Sequence, residues 1–339
     1  MTTLLAPPAE PTHTADLLII GAGPAGLYAA YYAGFRGWST IVMDTLPEAG
    51  GQITAMYPEK DIFDVAGFPA IKGRVLVDNL VEQAAPFSPQ YVLGHQATTL
   101  QTSAEGPVLV GTAGGALVSA KAVIITGGIG SFTPRALPTG GGWEGRGLVF
   151  FVPRLADHKD KDIVIVGGGD SAFDWAWSLH PIARSVTIVH RREQFRAHAA
   201  MVDQVRGLGV ELLTPCEVGE LRADSFGNLS SMLVTTKGSD VVRELPAQTV
   251  VAALGFIANI GPLAQWGLEL EKRHIVVDTT MATNMPRVFA GGDITAYPGK
   301  VPLISVGFGE AATAVNNAAP LIDPQAGVFP GHSSGGSGE

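Results

Sequence analysis

At 339 residues the chain has room for two domains, and 46% hydrophobic against 16% charged residues excludes coiled-coil and disordered readings. A net charge of −9, from 22 basic and 31 acidic side chains, argues against nucleic acid or an anionic membrane as partner, since both require basic surface. The single cysteine, Cys216, allows neither an internal disulfide nor a redox-active pair, and the 8 histidines show no HxxxH spacing, so no metal site is expected.

Residues 1–13 are rich in proline and threonine and read as a mobile tail. The first basic residue is Arg36, so no signal peptide is expected, and the reducing cytoplasm suits one lone thiol. Asp16–Ile20 is an apolar strand entering Gly21-x-Gly23-Pro24-x-Gly26; a helix (Leu27–Gly34) and a second strand (Thr40–Met43) follow. Ala122–Ile125 then leads into Thr126-Gly127-Gly128. The opening pattern returns at Asp162–Val166, with Gly167-x-Gly169-Asp170-Ser171-Ala172, a helix to His180 and a strand at Ser185–Val189. Val250–Ala253 and Val288–Ala290 are further strands, the latter ending in Gly291-Gly292-Asp293. Apolar runs such as Val250–Leu254 stop far short of the ~18–20 residues of a membrane span. The predicted fold class is α/β, with two Rossmann-like, three-layer dinucleotide-binding domains. One is discontinuous (14–127 plus 253–339) and the other is inserted at 128–252. His332–Glu339 is a second Gly/Ser-rich tail.

A glycine turn between strand and helix lets backbone approach a pyrophosphate, and the helix start offers free N–H groups and a positive dipole end. Asp44 lies 23 residues past Gly21, where a carboxylate accepts hydrogen bonds from ribose hydroxyls and repels a 2′-phosphate. The equivalent position past Gly167 is His190, followed by Arg191, Arg192 and Arg196. Guanidinium groups bind phosphate oxygens in bidentate fashion, so this copy should take NADPH/NADP⁺. Opposite chemistry at the two ribose ends points to a bound FAD and an exchanging NADPH.

With GAGPAGL (21–27), GGQITAMYPEKDIFDVAGFP (50–69), VGGGDSAFDWA (166–176), HRREQFRAH (190–198), AGGDI (290–294), GFGEAATAVNN (307–317) and the terminal HSS, the chain resembles the thioredoxin-reductase-like flavoproteins. Within that group it is similar to the ferredoxin–NADP⁺ reductases, over nearly its whole length. The resemblance implies that Asp44, Gly51, Gln52, Ala97, Phe132 and Asp293 surround FAD, with Tyr57 stacked on the flavin and Asp64 near its reactive edge. It further implies that His332, Ser333 and Ser334 cover the far flavin face, from the partner subunit of a homodimer. Lys60, Lys72 and Arg74 are candidates for attracting an acidic carrier.

The thioredoxin reductases' Cys-x-x-Cys is missing; its place reads Val149-Phe-Phe-Val-Pro153, and Cys216 lies elsewhere as a small buried hydrophobe. Thioredoxin reduction is thereby excluded. The expected activity is hydride transfer between NADPH and FAD followed by single-electron exchange with ferredoxin or flavodoxin. A reductase of quinones, free flavin or ferric complexes, and a flavoprotein sensing redox state without turnover, are the alternatives.

Overall fold

The apolar run ahead of the first glycine turn forms β1 (His13–Ile20) of a computed structural model that describes residues 10–331. Leu17, Leu18 and Ile19 are wholly buried, as a central parallel strand with both faces covered requires. The strand starts earlier than the apolar pattern suggested: His13 and Thr14 pair with Val118 and Ser119, and Thr12 bonds the Leu117 carbonyl. Of the tail predicted for residues 1–13, Thr12 and His13 are thus paired, and residues 1–9 lie outside the described residues.

Contacts divide the described chain into two units. Residues up to 55, 61–131 and from 258 onward form the first. Its sheet carries β2 (Thr40–Asp44), β3 (Gln90–Leu93), β4 (Ala97–Gln101), β5 (Val108–Thr112) and β6 (Leu117–Ile125), ordered β3-β2-β1-β6-β5-β4. Helices α1 (Pro24–Phe35) and α2 (Gly73–Ala84) belong to this unit. On α1, Gly26, Ala29, Ala30, Ala33 and Gly34 are buried, small residues that permit close packing.

The second unit holds residues 56–60 and 132–257. Its parallel sheet contains β7 (Leu148–Val149), β8 (Asp162–Val166), β9 (Ser185–Val189) and β10 (Glu211–Leu213). β11 (Cys216–Ala223), β12 (Leu229–Thr236) and β13 (Val242–Pro246) form an antiparallel sheet, and β14 (Thr249–Ala252) returns to the parallel one, whose order is β7-β14-β8-β9-β10. Alternation along β8 makes the three layers. Val164 and Val166 face a core shared with Met232, Val234 and Leu245 of the antiparallel sheet. Ile163 and Ile165 face one shared with helices α3 (Asp170–Leu179) and α4 (Ala199–Gly207) through Phe173, Leu179 and Val205.

The chain then re-enters the first unit, where β15 (Val288–Ala290) pairs with β6 and α5 (Ile304–Ile322) closes the core. The crossings at 131/132 and 257/258 fall within two paired strands, Ser131–Pro134 and Phe256–Asn259, a few residues beyond the glycine turns used to place them from sequence. Met56–Lys60 also departs from the sequence reading. The Leu155 N–H donates to Glu59 Oε2 at 2.7 Å, Lys60 is paired with Asp174, and Tyr57 packs on the second unit's helical core.

Candidate functional sites

In the first unit three parallel strands end level with one another: Ile20 of β1 faces Ile125 of β6, which faces Ala290 of β15. Each runs directly into a glycine turn, so Gly21–Gly26, Thr126–Gly128 and Gly291–Asp293 meet along one carboxyl edge, where open α/β sheets bind ligands. Two glycines of the first turn are required by the protein itself. Gly21 has φ +118°, and a Cβ on Gly26 would lie 1.8 Å from the Gly21 carbonyl oxygen. That carbonyl also accepts a bond from the Thr126 hydroxyl at 2.8 Å. Gly23 differs: its backbone is extended and a Cβ there would meet nothing within 4 Å. Protein packing gives no reason for that glycine, whereas a pyrophosphate lying against it does. Pro24 opens α1, and no side chain caps the helix start among the described residues, so its N–H groups remain available to an anion.

Asp44 sits at the strand end as the spacing predicts. Its Oδ2 accepts the Ala22 N–H at 2.6 Å and its Oδ1 the Leu46 N–H at 2.8 Å, leaving lone pairs for ribose hydroxyls. Burial raises its pKa, and the backbone bonds oppose that shift. Gly51 adjoins the turn, its missing Cβ lying 3.1 Å from Gly23 Cα. The Gln52 amide faces Gly128 at 3.4 Å by the same measure. Ala97 is buried two residues beyond His95, whose N–H bonds the Asp44 carbonyl at 2.9 Å. Asp293 is exposed at the turn; desolvation, with Glu310 and Asp64, raises its pKa against the pull of Lys300 and His274. These residues fit an FAD: a phosphate cradle, a ribose acceptor and a third glycine turn.

Other expectations separate. Asp64 is exposed in the loop Phe63–Pro69, where the Ser305 hydroxyl donates to its carbonyl at 3.0 Å. Tyr57 and Phe132 group with the second unit: the Lys60 ammonium lies 5.6 Å from the Tyr57 ring centre, and Phe132 packs edge-on against Phe256 at 5.7 Å. His332, Ser333 and Ser334 lie outside the described residues. Lys60, Lys72 and Arg74 are not free cations, because each is paired, with Asp174, Asp61 and Glu48 respectively. Charge clustering could not be read from sequence because each partner is distant along the chain or across a hairpin.

In the second unit Val166, Val189 and Ala252 end level, and the turn Gly167–Gly169 follows. A Cβ on Gly167 would lie 2.4 Å from the Ala253 oxygen, whereas one on Gly169 would meet nothing within 4 Å, repeating the contrast of the first turn. Asp170 and Ser171 open α3, again with no side-chain cap at Gly169. Asp170 Oδ1 accepts the His198 N–H at 2.9 Å, and the Arg196 N–H donates to the Gly168 carbonyl at 2.7 Å, so the arginine loop is pinned to the glycine turn.

His190 lies against that turn, with a Gly168 Cβ position 2.4 Å from its ring, and stacks on Phe195. Its Nε2 is buried without a partner among the described residues. Burial, reinforced by the neighbouring arginines, lowers its pKa and keeps the ring neutral. Arg191, Arg192 and Arg196 are exposed, and none is in an ion pair among the described residues. Three exposed, unneutralised guanidinium groups beside a phosphate cradle fit the 2′-phosphate of NADPH.

Sequence reasoning passed over the buried carboxylate of Glu310 on α5 and its partners Tyr297 and Lys300. The available signal was a glutamate inside an otherwise small and apolar helical stripe (Gly307, Ala311, Ala314). In the Val149–Pro153 segment Val152 is fully buried, Val149, Phe150 and Phe151 pack half-buried against the cores and Pro153 is exposed; Cys216 is buried with its Sγ 3.7 Å from the Thr236 hydroxyl. Among the described residues no group of three His, Cys, Asp or Glu side chains could hold a metal, and no helix is long and apolar enough to cross a membrane.

Residues 15–318 match the pyridine nucleotide-disulphide oxidoreductase family. A ferredoxin–NADP reductase of a Nocardioides species is 61% identical over 97% of this chain and 100% of its own length. One from Salinispora arenicola is 62% identical over 95% and 99%. Among solved structures, a thioredoxin reductase of T. acidophilum superposes with a TM-score of 0.76 at 25% identity, covering 90% of this chain and 98% of its own.

Proposed function

The chain belongs to the pyridine nucleotide-disulphide oxidoreductase family, and from that premise we propose that it is an FAD-dependent NADPH oxidoreductase of the ferredoxin–NADP⁺ reductase type. The observation that carries this reading is the pair of glycine turns with opposite strand-end chemistry, Asp44 after one and His190-Arg191-Arg192 after the other. In the first unit, Gly21–Gly26 and the α1 N-terminus would hold the FAD pyrophosphate, Asp44 the adenosine ribose and Asp293 the ribityl hydroxyls. In the second, Gly167–Gly169 would hold the NADPH pyrophosphate while the arginines select its 2′-phosphate. Bound FAD supplies the conversion between a two-electron hydride donor and a one-electron carrier. The protein supplies binding, orientation and charge.

Two absences in the sequence set the acceptor's class. With one cysteine, buried at β11, and none in Val149–Pro153, the chain holds no dithiol to receive electrons, so they must leave to an external partner. The relatives' names support ferredoxin as that partner; flavodoxin is the second carrier. We also propose a homodimer in the cytoplasm. NADPH oxidation measured side by side with ferredoxin, flavodoxin, a quinone and ferric citrate tests the reading. Rapid turnover with ferredoxin is expected; turnover with the quinone or ferric citrate alone would replace it with a reductase of small acceptors.

A further inference from the structure

The turn Gly291–Gly292–Asp293 is fastened by a buried ionic network. Glu310 lies in the second turn of α5 with 5% of its surface exposed. Its Oε2 accepts the Gly292 N–H at 2.7 Å, and its Oε1 accepts both the Tyr297 hydroxyl and the Lys300 ammonium. Lys300, also nearly buried, donates to the Gly292 carbonyl at 3.0 Å, and the Thr295 hydroxyl donates to the same oxygen at 2.8 Å. The N–H and the C=O of one glycine are thus held by an anion and a cation. Gly292 has φ +79°, and its Cβ position lies 3.2 Å from Ala25 Cβ, so the clamped turn rests on the start of α1 beside the first glycine motif.

A buried ion pair is a costly way to hold a turn, since apolar side chains of similar volume often do so at no loss of stability. The pair's charges also reach the ligand-facing carboxyl: beyond desolvation, Lys300 lowers and Glu310 raises the pKa of Asp293. Burial, followed by the bond to Glu310, pushes the Tyr297 phenol up to about 12, so it stays a neutral donor.

We propose that Glu310, Lys300 and Tyr297 are positioning residues for the flavin: they fix the turn that presents Asp293, and their balanced charges set the flavin's reduction potential. This rests on the reading that FAD occupies the first unit. Reduction places negative charge on the flavin, so an uncompensated cation in the network favours the reduced form and an uncompensated anion the oxidised form.

The test is the midpoint potential of the FAD-loaded protein, measured by dye equilibration, with the FAD Kd from fluorescence titration. Glu310→Gln should raise the reduction equilibrium about tenfold, roughly 30 mV for a two-electron couple. Lys300→Met should lower it comparably, and the double variant should return close to the unaltered value. Tyr297→Phe removes one neutral donor from Glu310, is the mildest change to the fold, and should lower the potential by less than Lys300→Met. Shifts of the same sign in the two charge variants would overturn the proposal. Potentials unchanged in all variants, Tyr297→Phe included, would overturn it too, even where FAD binds more weakly. Unaltered protein that binds no FAD would instead refute the underlying reading, and the proposal with it.

Discussion

Alanine at two glycines of one turn should have opposite consequences for the empty fold. At Gly26 the new methyl carbon would sit 1.8 Å from the Gly21 carbonyl oxygen and 2.7 Å from the Thr126 hydroxyl, and neither backbone can retreat without opening the β1–α1 turn. The cost should reach at least the ~1–3 kcal/mol of ordinary overpacking, with a large fall in Tm. Gly23 has φ −71° and ψ 179°, which alanine adopts freely, and its Cβ would enter open space. Reduced freedom in the unfolded chain should stabilise the apoprotein by ~0.4–1 kcal/mol, a rise in Tm of roughly 1–3 °C. On the proposed reading the same methyl would stand in the space of the pyrophosphate, and ~1–3 kcal/mol of crowding should weaken FAD binding roughly 5- to 150-fold. Thermal unfolding of flavin-free protein, with FAD titration by fluorescence, checks both halves. Normal FAD affinity in Gly23→Ala, or an apoprotein as destabilised as Gly26→Ala, would refute the reading of that glycine as ligand space.

Arg191→Ala with Arg192→Ala should raise the KM for NADPH at least tenfold and leave that for NADH nearly unchanged, since each charge-assisted bond to a 2′-phosphate contributes ~1.5–3 kcal/mol; equal losses for both, in steady-state assays, would assign the arginines to folding. Burial holds His158 and His190 below their ordinary pKa of about 6.5, so the folded state prefers them neutral. The stability they contribute is present above that pH and is lost as pH falls through the lowered values. Apoprotein Tm should therefore drop below about pH 6.5, and His158→Asn should flatten the drop; an unchanged profile in that variant would remove His158 from the account.

Much of the scaffold was legible because its signals are local. Leu17–Ile20 and Ile163–Val166 are apolar at every position because a parallel strand is covered on both faces, and the glycine spacing follows from one turn closing on itself. Asp44 was legible for the same reason: spacing alone carries it to the end of β2. What escaped depends on partners far away in sequence. Met56–Lys60 joins the second unit through Asp174 and the Leu155 N–H, 114 and 96 residues from their partners Lys60 and Glu59. His13 becomes strand because Val118 lies alongside it. Glu310 looked like one more polar residue on a helix until Gly292, Tyr297 and Lys300 surrounded it.

The surroundings of the two turns bear on which cofactor stays and which exchanges. Around the first, Gly51 approaches Gly23, Asp44 is tied by two backbone bonds, and the clamped Gly292 rests on α1. Segments from four parts of the chain converge there, and such a ligand is released only when several of them give way. Around the second, the three arginines are exposed on a single loop, which is pinned by Asp170, the Gly168 carbonyl and the Thr214 hydroxyl. A ligand held through one loop and a phosphate can leave in every cycle, as a substrate must. An exposed loop of that kind suits the proposed exchange of NADPH beside a resident FAD.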